Sequence, residues 1–415
     1  IQKDYSLLLC LSYGGANILL ECDQKMTKIN KIIGIDASNI KNGGGGTHLI
    51  ELLNSLDVDS LKDTKIIVWA PKLLLMKIKD YHWLDKKTHK LINFGFISRV
   101  VWQKLFLTKQ LKKMKCDLLL VVGGSHVTSF KPIVVMSRNM LPFEYKELFR
   151  YGFSLLTLKF ILLRWAQISS FRNANGIIFL TNYAKKNVLK VIGKIQGEVS
   201  VIPHGLNSRF ERRVKKQKHI SLYDNKNPYK LLYVSSIYPY KHQWHVLEAV
   251  FILRDKGYPL TLTLVGPSHK PSLKLLKKYI AKYDPFFKWV EYYGEVSYKK
   301  IDEIYGLADL GVFASTCENM PNVLLETMMS GLPIACSDKG PMPDILRNSG
   351  LYFNAEDPIS IASNLQKLID SPDLRKRLAN EGQLMSKKYS WSKCSLDTMQ
   401  FMSRIQSTFK ANKGQ

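Results

Sequence analysis

The sequence predicts an α/β protein built from two doubly wound, Rossmann-like domains facing a central cleft. Three observations carry this expectation. Short apolar, β-branched runs alternate with amphipathic helical patterns, as in parallel sheets covered on both faces. The alternation occurs twice, once over residues 31–202 and again from residue 230 onward. Between the two series lies a polar, basic stretch, 209–228, which contains ERRVKKQK and DNKNP, has no hydrophobic period and reads as an interdomain link. A chain of 415 residues also exceeds what a single hydrophobic core serves.

In the first series, strands are expected at 31–36, 65–70, 117–122, 133–137, 176–180 and 199–202, with helical patterns such as 47–56 and 182–192 between them. In the second, strands are expected at 230–235, 261–265, 289–293, 310–314 and 333–336. The intervening helices fall at 243–254, 273–283, 298–308, 321–330 and 359–369. The domains therefore run 26–208 and 229–391. Residue 1 is Ile, and Met26 stands just ahead of the first strand. Residues 1–25 are expected to be a non-native or dispensable extension: the apolar segment 6–12 lacks the basic front end and cleavage site of a secretory leader. Open parallel sheets bind ligands beyond the carboxyl ends of their strands, so the loops after strands are where to look for a site.

Composition narrows the function. With 46% hydrophobic and 23% charged residues, disorder, collagen and coiled coil are excluded as the main architecture. Six scattered cysteines without a CxxC pair read as reduced and cytoplasmic. No run of about 18 uncharged apolar residues is present, so no spanning helix is expected; the most apolar stretch, 149–165, is broken by Arg150, Lys159 and Arg164. Lys and Arg number 61 against 34 acids, a net charge of +27, which calls for an anionic partner. Residues 99–218 hold 23 Lys/Arg and 5 Asp/Glu, most of that excess. Within them, 100–115 (VVWQKLFLTKQLKKMK) and 148–165 (LFRYGFSLLTLKFILLRW) mix aromatics, leucines and cations. Each fits a helix lying in an anionic membrane interface, or a core-facing helix with solvated lysines. No zinc-finger spacing, RNP signature or basic zipper is present, and no nucleic-acid partner is expected.

Three motifs could carry chemistry. In IGIDASNIKNGGGGTHLIELL, Gly43 to Gly46 separate a strand from a helix; glycines let backbone N–H groups approach a phosphate and the helix N-terminus adds positive charge, although a plain flexible loop fits as well. The spacing matches neither GxGxxG nor a P-loop. In ASTCENMPNVLLETMMSGLP, Glu318 follows an apolar strand, and the amides of Asn319, Met320 and Asn322 gather at one helix start with Pro321 in its first turn. Glu326 lies eight residues on, among Leu324, Leu325, Met328 and Met329, where a carboxylate needs donors such as two ribose hydroxyls. Two solvated acids on an ordinary helix are the bland alternative. In LLYVSSIYPYKHQWHVLEAV, Lys241 opens a helix after Ser235 and Ser236; a cation there opposes the helix dipole unless an anion such as a diphosphate is near, and otherwise it is a solvated lysine. No ligand cluster supports a metal, and His48, His126 and His204 read as structural or loop histidines.

These pieces, in this order, resemble the retaining glycosyltransferases of family 4, which have the GT-B fold. The most specific element is the E-x7-E pair Glu318/Glu326, strengthened by VIPHG (201–205), GPMPDIL (340–346), GLYFNAEDP (350–358) and YSWSK (389–393). The resemblance implies that Glu326 holds the ribose hydroxyls and that Glu318 contacts the donor sugar and stabilises charge at its ring. The backbone of Asn319, Met320 and Asn322 would bind sugar hydroxyls or phosphate. Lys241 and Ser236 would hold the diphosphate from one side and Gly44, Gly45 and Gly46 from the other, with the backbone of Val296 at the base. Helix 392–415 would cross back onto the first domain. The family's Gly-Arg is replaced here by Ser235-Ser236, which removes one diphosphate cation unless Arg138 compensates; Arg138 or Asn139 also stands where the family carries a His near the reacting carbon. The implied activity is transfer of a hexose from a GDP- or UDP-sugar, without metal or other cofactor, to a lipid-linked or saccharide acceptor of O-antigen or capsule. The implied location is the inner face of the cytoplasmic membrane. Another GT-B enzyme, a phosphorylase or a sugar epimerase, is the alternative, and a basic nucleic-acid-binding protein a more distant one.

Overall fold

The computed structural model describes residues 31–40, 43–57, 63–298 and 300–414; the expected extension 1–25 and Met26 lie outside the described residues. The first sheet has the order β3-β2-β1-β4-β5-β6-β7. Its strands are β1 (Lys31–Asp36), β2 (Thr64–Trp69), β3 (Leu84–Lys87), β4 (Leu118–Val121), β5 (Ile133–Ser137), β6 (Gly176–Phe179) and β7 (Glu198–Val201). The second sheet has the order β10-β9-β8-β11-β12-β13. It is built from β8 (Tyr229–Val234), β9 (Leu260–Val265), β10 (Val290–Tyr292), β11 (Leu310–Phe313), β12 (Ile334–Ser337) and β13 (Leu351–Phe353). These pairings are all parallel.

Central strands are buried on both faces, which is why β4 (LLLV) and β5 (IVVMS) read as unbroken apolar runs. Two edge strands escaped the sequence reading. β3 is LDKK, half-buried throughout, and β13 is only three residues long, so neither offers a run to detect.

Helices cover both faces of the first sheet. On one side, Leu49, Leu52 and Leu53 of the helix Gly44–Asn54 share a core with Phe401, Met402 and Ile405 of the C-terminal helix Trp391–Gly414. That last helix thus leaves the second domain and packs on the first; Ser395 donates to the Leu52 carbonyl at 2.8 Å and the Lys31 ammonium to Ser403 at 2.6 Å. On the other side, Trp102, Leu107 and Leu111 share a second core with Ile168 and Phe171 of the helix Leu155–Arg172.

One expectation needs correction. The stretch 148–165 is not one helix: a 3-10 turn, Phe149–Tyr151, ends at Gly152 in the left-handed region (φ 63°), and the helix restarts behind the cap Ser154, whose hydroxyl accepts from Thr157 N. The link 209–228 is laid along the second domain. Phe210 is buried edge-on against Tyr298 and Tyr305, and the fully buried Arg375 donates to the Gln217 side chain and the Lys218 carbonyl. No helix among the described residues is long and apolar enough to cross a membrane.

Candidate functional site

In both sheets the chain reverses direction of growth beside the first strand, between β1 and β4 and between β8 and β11. Crevices open at such switch points, and the loops after β1, β8 and β11 carry the glycine run, Ser235 to Lys241, and Glu318 to Asn322. These loops meet across the domain junction around a cavity of about 300 Å³. Gly44, Gly45, Arg138, Ser236, Lys241, Glu318, Asn319, Met320 and Asn322 all line it.

Lys241 ends the 3-10 turn Pro239–Lys241 and is only 8% exposed. The buried Tyr233 hydroxyl donates to its carbonyl at 2.7 Å, while its ammonium lies 5.3 and 5.6 Å from the Tyr240 and Phe313 ring centres. The ammonium is ion-paired with Glu318. A cation held so deep needs such a partner, and an anionic ligand would serve equally. Directly behind, Gly266 (φ 143°) lies against the Ser235 backbone, where a Cβ would sit 2.3 Å from the Ser235 carbonyl oxygen; no other residue fits.

Across the cavity, Arg138 follows β5 and forks its guanidinium onto the glycine loop, donating to the Gly44 carbonyl at 2.8 Å and the Gly45 carbonyl at 3.1 Å. Burial lowers its pKa to about 10. The helix Gly44–Asn54 starts behind Gly43 (φ 79°) with no side-chain cap. Asn319 ties the two domains together: its side-chain amide donates to the Ser137 carbonyl at 3.1 Å and its backbone carbonyl accepts from the Thr181 hydroxyl at 3.0 Å. Among the described residues, Arg138 Nε, Asn319 Oδ1 and Asn322 Oδ1 are buried without a hydrogen-bond partner, an expensive arrangement that a polar ligand would relieve.

Glu326 does not line this cavity. It is buried on the helix Asn322–Met329, 5% exposed, and accepts from the Tyr305 hydroxyl at 3.2 Å. Burial pushes its carboxyl up to about 7, against the opposing pull of Tyr305 and the Arg209 charge. Arg209 stacks on Tyr298, with its guanidinium 3.7 Å from the ring centre, and its Nε and Nη2 are buried without a hydrogen-bond partner among the described residues. Nothing in the sequence singled out Arg209, which sat in the polar link.

Three other expected residues stand apart from the cavity. Gly46 is buried in the first helical turn, its amide bonded to the Gly43 carbonyl at 2.9 Å. Val296 is half-buried against the second domain's core. Asn139 folds its side chain onto its own turn, accepting from Leu141 N at 3.1 Å, the local hydrogen bond that Asn makes in preference to pointing at a ligand.

Beneath the cavity, His48 and His204 face each other, Nδ1 to Nδ1 at 2.7 Å, next to Trp391. Burial and the Arg138 charge hold both imidazoles far below their usual range, hence neutral. A second cavity of about 300 Å³ lies beyond Met320 and His204, walled by the C-terminal crossing around Tyr389 and Lys393; residues of VIPHG, GPMPDIL and YSWSK line it, but of the expected site residues it holds Met320 alone. Among the described residues no group of three or more His, Cys, Asp or Glu side chains could hold a metal ion.

Comparison with known proteins follows the same division. The family described as glycosyl transferases group 1 matches residues 214–385. The O-antigen chain mannosyltransferase B of Escherichia coli is 25% identical over 111 residues, 27% of this chain and 29% of that protein. An uncharacterized glycosyltransferase of Methanocaldococcus jannaschii is 23% identical over 225 residues, 54% and 57% of the two chains. Each match spans less than two thirds of the relative's length. Among solved structures, sucrose-phosphate synthase from Thermosynechococcus elongatus superposes with a TM-score of 0.72 at 13% identity, covering 91% of this chain and all of that one. Anabaena HepE in complex with UDP gives 0.66 at 17% identity, covering 90% and 100%. The chain therefore has the GT-B fold, and residues 214–385 are similar to the family described as glycosyl transferases group 1.

Proposed function

We propose that this protein is a retaining hexosyltransferase that moves a sugar from a GDP- or UDP-sugar to a lipid-linked or saccharide acceptor of a cell-surface polysaccharide, O-antigen or capsule. The observation that carries the reading is the convergence of Lys241, Arg138, Asn319 and Asn322 from both domains on one interdomain cavity, the last three each holding a buried polar atom without a hydrogen-bond partner among the described residues. In this reading Lys241 and Ser236 bind the diphosphate from the second domain. Arg138, which already grips the glycine loop, supplies from the first domain the positive charge that Ser235-Ser236 lack. Glu326 and Arg209 flank the nucleoside, and the Val296 backbone holds the base. The E. coli relative, a mannosyltransferase of O-antigen chains, supports the substrate class.

The chemistry follows from charge. The bond between the anomeric carbon and the diphosphate oxygen breaks through an oxocarbenium-like state, leaving negative charge on the diphosphate. Lys241, Arg138 and the starts of the helices Gly44–Asn54 and Asn322–Met329 are fixed positive poles for that charge and need no reorganisation. Donor binding would draw Lys241 from Glu318 and free the carboxylate to stabilise the sugar ring. The acceptor oxygen attacks on the face the diphosphate leaves, and its proton passes to the departing oxygen, so no side-chain base is required. The acceptor and the net +27 charge support a peripheral position on the inner face of the cytoplasmic membrane.

The test is transfer from radiolabelled GDP- and UDP-hexoses to lipid-linked saccharide, with the anomeric configuration of the product read by NMR. Transfer with retention from one nucleotide class is expected. Release of free hexose 1-phosphate, or inversion, would overturn the reading.

A further inference from the structure

The helix Leu155–Arg172 has an unusual outer face. Its inward residues, among them Gln167, Ile168 and Phe171, are buried, and the opposite stripe is not polar. Leu155, Leu158, Leu162 and Trp165, spaced three and four apart, are 87%, 53%, 61% and 66% exposed, and Phe153 just ahead is fully exposed. A solvated helix normally turns charged residues outward. The helix Phe96–Trp102 packs into the same core and likewise exposes Phe96 and Ile97, so both present apolar side chains on one side of the first domain.

Charge identifies the occupant. Residues 90–172 contain 14 Lys/Arg and three acids, Asp117, Glu144 and Glu147. All three acids are engaged inward: Asp117 with Ile32 N, Glu144 with Tyr183, Glu147 with Thr316. A second copy of the chain would bring one cationic face against another, which costs rather than contributes. An anionic bilayer matches both the charge and the apolar stripe.

The same segment grips the loops around the cavity. Arg164 donates to the Pro142 carbonyl at 2.8 Å, with its guanidinium 4.3 Å from the Tyr145 ring centre. Glu147, two residues on, accepts from Thr316 at 2.7 Å, and Thr316 lies two residues before Glu318. Arg150 joins Glu147 to Glu356 of the second domain, 2.7 Å to each. The turn Phe149–Tyr151 packs on the turn Pro239–Lys241. Between these inward grips, Tyr145 and Phe149 are about half exposed on the outside.

We propose that Tyr145, Phe149, Phe153 and the outer stripe of Leu155–Arg172 enter an anionic bilayer, and that this docking steadies the closed cleft through Glu147 and Arg150. The coupling rests on reading the cavity as a nucleotide-sugar site; the docking does not. The full chain is sedimented with vesicles of phosphatidylcholine alone or mixed equally with phosphatidylglycerol, and UDP and GDP affinities are measured with and without each vesicle. Binding only to the anionic vesicles is expected, weakened roughly tenfold or more by Phe153→Glu with Leu162→Glu. Wild-type nucleotide affinity should rise several-fold on anionic vesicles. The double variant should keep the solution affinity and lose the rise, and Glu147→Ala should bind vesicles normally but lose the rise. Equal binding to neutral vesicles, or salt-resistant dimers in light scattering, would overturn the docking. Docking without a rise in affinity would overturn the coupling. Absence of nucleotide binding under every condition would instead refute the donor-site reading, with the docking still scored by sedimentation.

Discussion

The two domains use charge in opposite ways. Residues 229–391 hold 20 Lys/Arg and 17 Asp/Glu, nearly balanced. Their distinctive charges, Lys241 and Glu326, are buried and partnered. Residues 99–208 of the first domain hold 17 against 4, mostly directed outward beside exposed leucines and aromatics. The lesson is that net charge and site charge are separate quantities: +27 says what surface the protein meets, while a handful of buried groups says what chemistry it can do. Arg138 is the exception, a first-domain cation turned inward to the cavity.

Several substitutions would break or sharpen this contrast. Lys241→Met should lower the transfer rate most, by about 10³-fold, because a fixed charge beside a developing diphosphate is lost; the paired change Lys112→Met with Lys113→Met, on the outward side, should leave transfer to a soluble acceptor unchanged. Steady-state kinetics of both decide, and comparable losses would erase the distinction between the domains. Arg138→Ala should weaken donor binding by roughly 10- to 100-fold, whereas Asn139→Ala next to it should change binding less than about twofold, since its side chain serves only its own turn.

Glu326 adds a pH signature. Burial raises its carboxyl to about 7, and Glu144 is likewise pushed to about 7, by burial first. A carboxyl raised above its unfolded value binds its proton more tightly when folded. Its contribution to stability is therefore intact below the unfolded value and is lost as pH climbs through about 7. Glu326→Gln should raise the melting temperature by a few degrees at pH 8 and leave it nearly unchanged at pH 4.5. An equal shift at both would mean that packing, not ionisation, is at stake.

Much of the fold was legible because parallel strands buried on both faces carry an unbroken apolar signal, as in LLLV and IVVMS. β3 was not, since an edge strand of Leu, Asp and two Lys has no such run. The cavity was legible where chemistry and loop position coincide: Lys241, Glu318 and Gly44–Gly45 all follow strands at a switch point. It was illegible where a residue acts through long-range packing. Arg209 looked like one more cation of a basic link, and only the fold sets it on Tyr298 near Glu326. Glu147 and Thr316, 169 residues apart, share a hydrogen bond no local pattern announces. At Asn139 a polar residue after a strand suits a ligand and a turn equally well, and only the fold shows its side chain bonded to its own turn.

The most direct measurement is calorimetric titration of the full chain with GDP and with UDP, beside Glu326→Ala. Binding of one nucleotide in preference to the other, weakened about 100-fold by the substitution, is the predicted result. Equal binding by wild type and Glu326→Ala, or no binding of either nucleotide, would contradict the claim that this cleft is a nucleotide-sugar site.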